Sequence, residues 1–315
     1  MKKYLKKLIR EIRLKRYSYQ TEIAYCSWVK RYLIFLHKNS IEGNQDEKVI
    51  AFLNNLVEKK NVSASTQNQA LCALVFFYEY VLNRPVGHLE NLKYASKKPN
   101  IPVVLSESEV KEILNNLPGV KKLIVSLLYG SGLRISECLR LRILDINFSY
   151  RQLDIRNSKG SKDRVTMIPD RVLNDLQQQV KRVKLLHEKD LSKSFGKVLL
   201  PGALAVKYPN ASSELAWQYL FPSEMIRKDP RSGFRHRYHQ SPQSVNREIK
   251  KAVRKTGIPK KVSAHTFRHS FATHLLKNGY DIRTVQELLG HKNVKTTMIY
   301  THVLNKGGRG VKSPL

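Results

Sequence analysis

The sequence predicts a mainly α protein in two domains, the second carrying a small antiparallel β-sheet, on three observations. Apolar residues recur at three- and four-residue steps through the first 90 positions and again after position 106. Only residues 144–148, 152–156 and 164–168 have the length and alternation of strands. A chain of 315 residues holds two domains of about 150 residues each.

The first 16 residues alternate lysine and arginine with leucine and isoleucine, which makes an amphipathic helix and not the unbroken apolar core of a signal peptide. Tyr25, Trp28, Val29, Tyr32 and Leu36 form the next stripe. Val49, Phe52, Leu53, Leu56 and Val57 form another, and Leu71, Leu74, Val75, Tyr78 and Val81 the last of this domain. Their aromatic rings read as the core of a small bundle, with lysines and arginines on the outer faces. The predicted first domain is residues 1–92. Residues 93–103 follow as a linker, because KYASKKPNIP is basic, holds two prolines and shows no periodicity.

The second domain, residues 104–315, opens with Ser106 and Glu109 as a capping box before the stripe Val110, Ile113, Leu114 and Leu117. Pro118-Gly119 ends that helix and residues 120–129 form another. After the first two strands, NSKGSKD at 157–163 is rich in turn formers and reads as a hairpin tip. Pro169-Asp170 opens a helix to about residue 188. Residues 190–240 hold Phe195, Tyr208, Trp217, Tyr219, Phe221, Phe234 and Tyr238 among prolines, glycines and basic residues with weak periodicity. They read as an elaborated surface, with an insertion at about 190–222. Ser241 then caps a helix with Pro242 at its first position and Val245, Ile249 and Val253 as its stripe. Helices at 265–277, 282–289 and 296–302 complete the domain, ahead of a tail at 303–315.

Charge bounds the function. Lysine and arginine number 57 against 25 acidic residues, a net +32, and the excess runs through every third of the chain. Such a field answers a polyanion, nucleic acid first and an anionic membrane surface second. The most apolar run, residues 71–82, is short and contains Glu79, so no membrane span is expected. Cys26, Cys72 and Cys138 are odd in number and far apart, which fits reduced thiols in a cytoplasm rather than a disulfide framework or zinc site.

Breaking a phosphodiester without metal requires a nucleophile, cations for the developing charge, and a proton for the leaving oxygen. Arginine pairs with two phosphate oxygens and keeps its charge. Tyrosine can attack and store the bond energy in its ester, although at a pKa of about 10 it needs neighbouring cations to ionise readily. The chain supplies this set. His265 and Arg268 in HTFRH share one helix face. His291 follows Gly290 just past a helix end, and Tyr300 comes nine residues later. Upstream, GSGLRISE places Arg134 between a glycine-rich turn and a new helix, with Glu137 one turn on to orient its guanidinium. His265, His269 and His274 have a zinc-like spacing, but no acidic residue joins them and Arg268 would repel a cation. No metal is expected, and His269 and His274 are assigned to packing or hydrogen bonding within their helix. A DNA-binding protein without chemistry would explain the charge but not the Arg, His and Tyr set.

Together GSGLRISE, HTFRHSFATHLL, LLGHKN and TMIYTHV resemble, in order and spacing, the signature boxes of the tyrosine recombinase (phage-integrase) family. The resemblance covers the whole chain. It implies a SAM-like helical core-binding domain followed by an α+β catalytic domain. It also implies that Tyr300 forms a 3′-phosphotyrosyl link and frees a 5′-hydroxyl, that Arg134 and Arg268 clamp the phosphate, and that His265 and His291 assist by hydrogen bonding and proton handling. Lys159 at the hairpin tip matches the family's general acid, with Lys162 in the same turn as the alternative. No cofactor, metal or ATP is implied. The implied partner is DNA, bound in the bacterial cytoplasm and nucleoid by a homotetramer. The tail, with Gly307-Gly308 as a hinge and Val311 and Leu315 as apolar contacts, suits docking on a neighbouring subunit.

A narrower resemblance joins GALAVKYPNASSELAWQYLFPS, residues 202–223, and the tail to integron integrases. It implies recognition of folded single-stranded sites through extrahelical bases, with Trp217 as a stacking platform and His239 and Pro230 as walls. Stacking contributes ~1–3 kcal/mol per base. The other reading has Trp217, Tyr219 and Phe221 packing the insertion onto its domain. A general recombinase of duplex sites and a type IB topoisomerase-like nicking-closing enzyme are the alternative functions.

Overall fold

A computed structural model describes residues 1–87, 102–156, 163–200 and 204–301. The chain divides into two compact units, Met1–Asn100 and Ile101–Leu315. The architecture is mostly helical with small antiparallel sheets.

The first unit holds α1 (Lys2–Leu14), α2 (Tyr19–Asn39), α3 (Gln45–Glu58) and α4 (Ala64–Phe76), the last continued by a π-helical turn at Phe77–Val81. Ser18, Asn44 and Ser63 accept hydrogen bonds from the first-turn N–H groups of α2, α3 and α4, the groups left without helical partners. The aromatic residues are core, as their spacing predicts. Tyr32 is fully buried against Phe52, its hydroxyl 2.6 Å from that of Tyr78. The indole N–H of Trp28 donates to Gln69 at 3.1 Å, so its one polar atom is satisfied. None of the described helices is long and apolar enough to cross a membrane.

The second unit is built on α6 (Gly119–Gly130) and α11 (Ala264–Lys277), which pack directly on each other. Leu123, Ile124, Leu127 and Leu128 of α6 share a core with Ala264 and Phe267 of α11. Around them lie α5 (Glu107–Asn115), α7 (Ile135–Arg140), α8 (Leu173–Leu191), α9 (Leu204–Lys207), α10 (Pro242–Thr256), α12 (Ile282–Leu289) and α13 (Val294–Met298). The capping box at Ser106 and Glu109 and the Ser241 cap form as expected.

A three-stranded antiparallel sheet, β1 (Ile146–Asn147), β2 (Gln152–Ile155) and β3 (Arg164–Met167), pairs Leu153 with Thr166 and Ile155 with Arg164. The first strand is shorter than residues 144–148 predict. Ile143–Asp145 turns as a 3-10 helix instead, because the Asp145 carboxylate accepts the Arg142 N–H at 2.8 Å and pulls the backbone into a turn. The helix expected from Pro169 begins with a 3-10 turn at Asp170–Val172 and reaches Leu191. The last helix is also shifted. It spans Val294–Met298, and Tyr300 follows in a turn whose N–H donates to the Thr297 carbonyl at 3.0 Å.

A second sheet escaped the sequence. β4 (Pro222–Lys228) and β5 (Arg235–His239) form an antiparallel pair with a bulge between Pro222 and Ile226. PSEMIRK and RHRYH show no clean apolar alternation, because His236 alone among their side chains is buried and no apolar face is covered.

Candidate active site

Arg134 is placed by the end of α6. Gly132 adopts φ +62°, and a Cβ there would stand 2.4 Å from the Phe271 ring, so only glycine lets this turn lie against α11. The turn delivers Arg134 as the N-cap of α7. One oxygen of Glu137 accepts the Arg134 N–H at 2.9 Å and the other accepts its guanidinium at 2.6 Å. The hairpin is tied to the same turn, since the Thr166 hydroxyl donates to the Ser131 carbonyl at 2.9 Å.

Arg268 sits on α11 and is almost wholly buried. Its guanidinium donates to the carbonyls of Gly132 and Leu289, each at 2.6 Å, and lies 3.1 Å from His291 Nε2. These bonds join the Arg134 turn, α11 and the end of α12 through one side chain. Burial, and then the charge of Arg134, lower the Arg268 pKa to about 9, which leaves it protonated at neutral pH.

Glu137 is the counter-charge. Besides Arg134 it receives both guanidinium nitrogens of Arg164, at 3.1 and 2.8 Å, and lies 3.8 Å from Arg268. Burial opposes its ionisation, but hydrogen bonds and charge from Arg164, with further bonds from Arg134, hold the carboxyl at about 2. The third nitrogen of Arg164 donates to the Leu288 carbonyl at 2.9 Å. Sequence reasoning missed Arg164, which reads as an ordinary basic residue at a strand start.

His291 follows Gly290, whose φ of +64° closes α12 as a left-handed cap. Its Nδ1 lies 3.0 Å from the Thr297 hydroxyl and its ring stacks near that of Tyr300, centroids 6.3 Å apart. Burial, reinforced by Arg268 and Arg134, pushes its pKa down to about 3. A neutral ring receiving Arg268 at Nε2 carries its proton on Nδ1. Tyr300 is 1% exposed. Its hydroxyl pKa is raised, because burial outweighs the pull of Arg268 and Arg134. The cations therefore do not by themselves make Tyr300 a ready phenolate.

The Tyr300 hydroxyl lies 2.9 Å from Nδ1 of His269. This corrects the assignment of His269 and His274 to contacts within their helix. His269 reaches Tyr300, and His274 Nδ1 lies 2.8 Å from the Tyr129 hydroxyl. The available signal was spacing: His269 stands one helical turn from His265 and beside Arg268. Arg134, His265, Arg268, His269, His291 and Tyr300 line one open cavity of about 620 Å³. Two guanidinium groups, neutral imidazoles and a phenol around such a space can hold a tetrahedral anion and move protons at its edge. Among the described residues, no group of three His, Cys, Asp or Glu side chains could hold a metal. Lys159 and Lys162 lie outside the described residues, as do positions 93–101 of the linker expected at 93–103 and the tail at 303–315.

The base-stacking candidates are more scattered. Trp217 is half-buried and lines a separate cavity of about 370 Å³ with Arg142, Tyr219 and Tyr238. Arg142 donates to the Trp217 carbonyl at 2.5 Å and sets its guanidinium 4.7 Å from the Tyr219 ring centroid. His239 does not line that cavity; its Nδ1 lies 2.6 Å from the Gln240 carbonyl and its ring packs 5.3 Å from that of Tyr219. Pro230 is exposed between β4 and β5 and does not line it either. Tyr219, Leu220 and Phe221 are buried, so this part of the segment packs onto the domain.

The chain is similar to known proteins over nearly its whole length. The model of the "Phage integrase family" matches residues 103–306, and that of the "Phage integrase, N-terminal SAM-like domain" matches residues 4–88. The chain is 44% identical over 313 residues to an "Integrase/recombinase" of Escherichia coli, covering 99% of this chain and 93% of that protein. It is 36% identical over 284 residues to "Tyrosine recombinase XerA" of Pyrococcus furiosus, covering 88% and 84%. Among solved structures, XerH site-specific recombinase bound to difH substrate in a pre-cleavage complex shares the fold, with TM-score 0.62, 19% identity and coverage of 96% and 82%. So does the Tn1549 transposon integrase in complex with transposon right end DNA, with TM-score 0.61, 17% identity and coverage of 94% of each chain.

Proposed function

The chain belongs to the phage integrase family of tyrosine recombinases, DNA strand-transferring enzymes of site-specific recombination, and from that premise we propose how its residues divide the chemistry. Residues 1–92 bind DNA and residues 104–315 cut it. Arg134 and Arg268 hold two non-bridging oxygens of the scissile phosphate. The Tyr300 oxygen attacks phosphorus, an O–P bond to tyrosine forms, and the bond to the 5′ oxygen breaks. Lys159 gives its proton to that oxygen, releasing a 5′-hydroxyl, while His265 and His291 assist by hydrogen bonding, His291 through its contact with Arg268. Rejoining runs the same steps backward. The phosphotyrosyl ester keeps the bond energy, so the reading needs no ATP. Guanidinium groups carry the neutralising charge, so it needs no metal.

The observation supporting this most directly is that Tyr300, Arg134 and Arg268 line one cavity, with Arg268 already fixed by two carbonyls. Covalent capture of a nicked recombination site tests it: Tyr300→Phe should bind DNA and form no adduct. An adduct from that variant would remove Tyr300 as the nucleophile.

The substrate reading is an integron-type enzyme acting on folded single-stranded sites with extrahelical bases, as a homotetramer whose 303–315 tails dock on neighbours. Its support is the 202–223 segment and the partly open face of Trp217 beside Arg142. A general recombinase of duplex sites is the second reading, favoured by the packing of Tyr219 and Phe221 and by the position of Pro230 and His239 off the Trp217 cavity.

A further inference from the structure

A tyrosine that attacks phosphorus must lose its phenolic proton, and of the histidines lining the cavity it is His269 whose ring nitrogen lies within hydrogen-bond distance of the Tyr300 hydroxyl. Arg134 and Arg268 are cations. Both nitrogens of His291 are engaged, Nε2 toward Arg268 and Nδ1 toward the Thr297 hydroxyl. The ring of His269 lies 6.4 Å from that of His265 and 5.5 Å from that of Tyr300, and it is His269 Nδ1 that meets the phenol at 2.9 Å. The contact is a direct one to the reacting oxygen.

We propose that His269 is the base that takes the phenolic proton of Tyr300 during attack and returns it when the strand is resealed. The inference rests on Tyr300 being the nucleophile. In the cleavage step the proton moves from Tyr300 Oη to His269 Nδ1 as the Oη–P bond forms. The 5′ oxygen leaves with a proton from the general acid, so one proton enters and one leaves the reacting groups. In resealing, the 5′-hydroxyl returns its proton to the general acid as its oxygen bonds to phosphorus, the Oη–P bond breaks, and the imidazolium reprotonates Tyr300.

The surroundings suit this role. His265 and Arg268 face His269 from its own helix. Arg134 from the start of α7, His291 from the turn before α13, and Tyr300 itself share the cavity, with Glu137 behind Arg268. Burial, then His265 and Arg268, lower the His269 pKa to about 4, so the ring is neutral and able to accept before DNA arrives. The scissile phosphate brings a negative charge that offsets Arg134 and Arg268. That charge makes the imidazole more basic at the moment the phenol becomes acidic by bonding to phosphorus.

Single-turnover cleavage of a nicked site by the full chain, from pH 5 to 9.5, tests the role. Wild type is expected to be nearly flat above neutral pH, where the base is neutral even with the charge of the bound phosphate beside it. His269→Ala and His269→Gln should bind DNA as wild type does but cleave about 100-fold more slowly at pH 7. Their rates should climb tenfold per pH unit toward pH 9, as solvent base replaces the lost one, and added imidazole should speed His269→Ala. Wild-type rates in both variants, or a slowing by the same factor at every pH without imidazole rescue, would overturn the assignment. Tyr300→Phe separates the two claims. If it still forms the adduct, the nucleophile is wrong. If it does not, and the His269 variants run parallel to wild type in pH, only the base is wrong.

Discussion

Arg164 and Glu137 are joined by two hydrogen bonds of 3.1 and 2.8 Å, one from each terminal guanidinium nitrogen. The pair links the start of β3 to the first turn of α7, and the same carboxylate reaches Arg134 and approaches Arg268. Arg134 and Arg268 line one cavity and repel each other, and Glu137, 1% exposed at its side chain, is the counter-charge that lets them converge.

Glu137→Gln should therefore cost about 3–5 kcal/mol of stability at pH 7, because it strands buried guanidinium groups without their counter-ion. The carboxyl is depressed from 4.5 to about 2 by Arg164 and Arg134 against the opposing effect of burial, so its contribution is full above about pH 4.5 and fades as pH falls toward 2. Urea unfolding should show the gap between wild type and variant shrinking as pH drops through that window. A gap independent of pH would mean the carboxylate charge is not the source.

Gly132→Ala should lower the melting temperature by several degrees, a loss of about 1–3 kcal/mol, because the new Cβ meets Phe271 at 2.4 Å in a backbone that disfavours L side chains. Cleavage should fall further than stability explains, since the Gly132 carbonyl fixes Arg268. Gly119→Ala is the control. It has φ +38° but nothing within 4 Å of the added carbon, so its cost should be smaller and cleavage unchanged.

The sequence made much of this legible, and the rest had physical reasons for hiding. Arg134, His291 and Tyr300 stand at helix ends and glycine turns that leave clear marks, and with Arg268 from within α11 they line one cavity. Caps at Ser106 and Ser241 were readable because a side-chain oxygen three residues from its partner is a local interaction. Arg164 was hidden because its partner Glu137 is 27 residues away, and no local pattern encodes a pairing between β3 and α7. His269 was hidden by helix geometry, since its partner Tyr300 is 31 residues on. β4 and β5 were hidden because an exposed two-stranded ribbon needs no apolar period.

Lys159→Ala should slow cleavage by 100-fold or more and leave DNA affinity nearly unchanged, if it supplies the leaving-group proton. A substrate with a 5′-thiolate leaving group needs no such proton and should restore the rate. Lys162→Ala is expected to be mild. If the thiolate substrate fails to rescue Lys159→Ala, the general acid lies elsewhere.

Trp217→Ala should weaken recombination of folded single-stranded sites more than that of duplex sites of the same sequence, by 5-fold or more if one base loses ~1–3 kcal/mol of stacking. Thermal unfolding should change little, because the ring is only half-buried and its carbonyl bond to Arg142 is made by backbone. Equal loss on both substrates would favour the duplex reading.

The chemistry turns on one oxygen, and mass mapping of the trapped protein–DNA adduct tests it most directly. After cleavage of a nicked site, nuclease trimming and proteolysis, the account predicts a single modified peptide carrying a 3′-nucleotide phosphate on Tyr300, with a free 5′-hydroxyl on the released strand. A phosphate on any other residue, or a 5′-phosphate on the released strand, would contradict it.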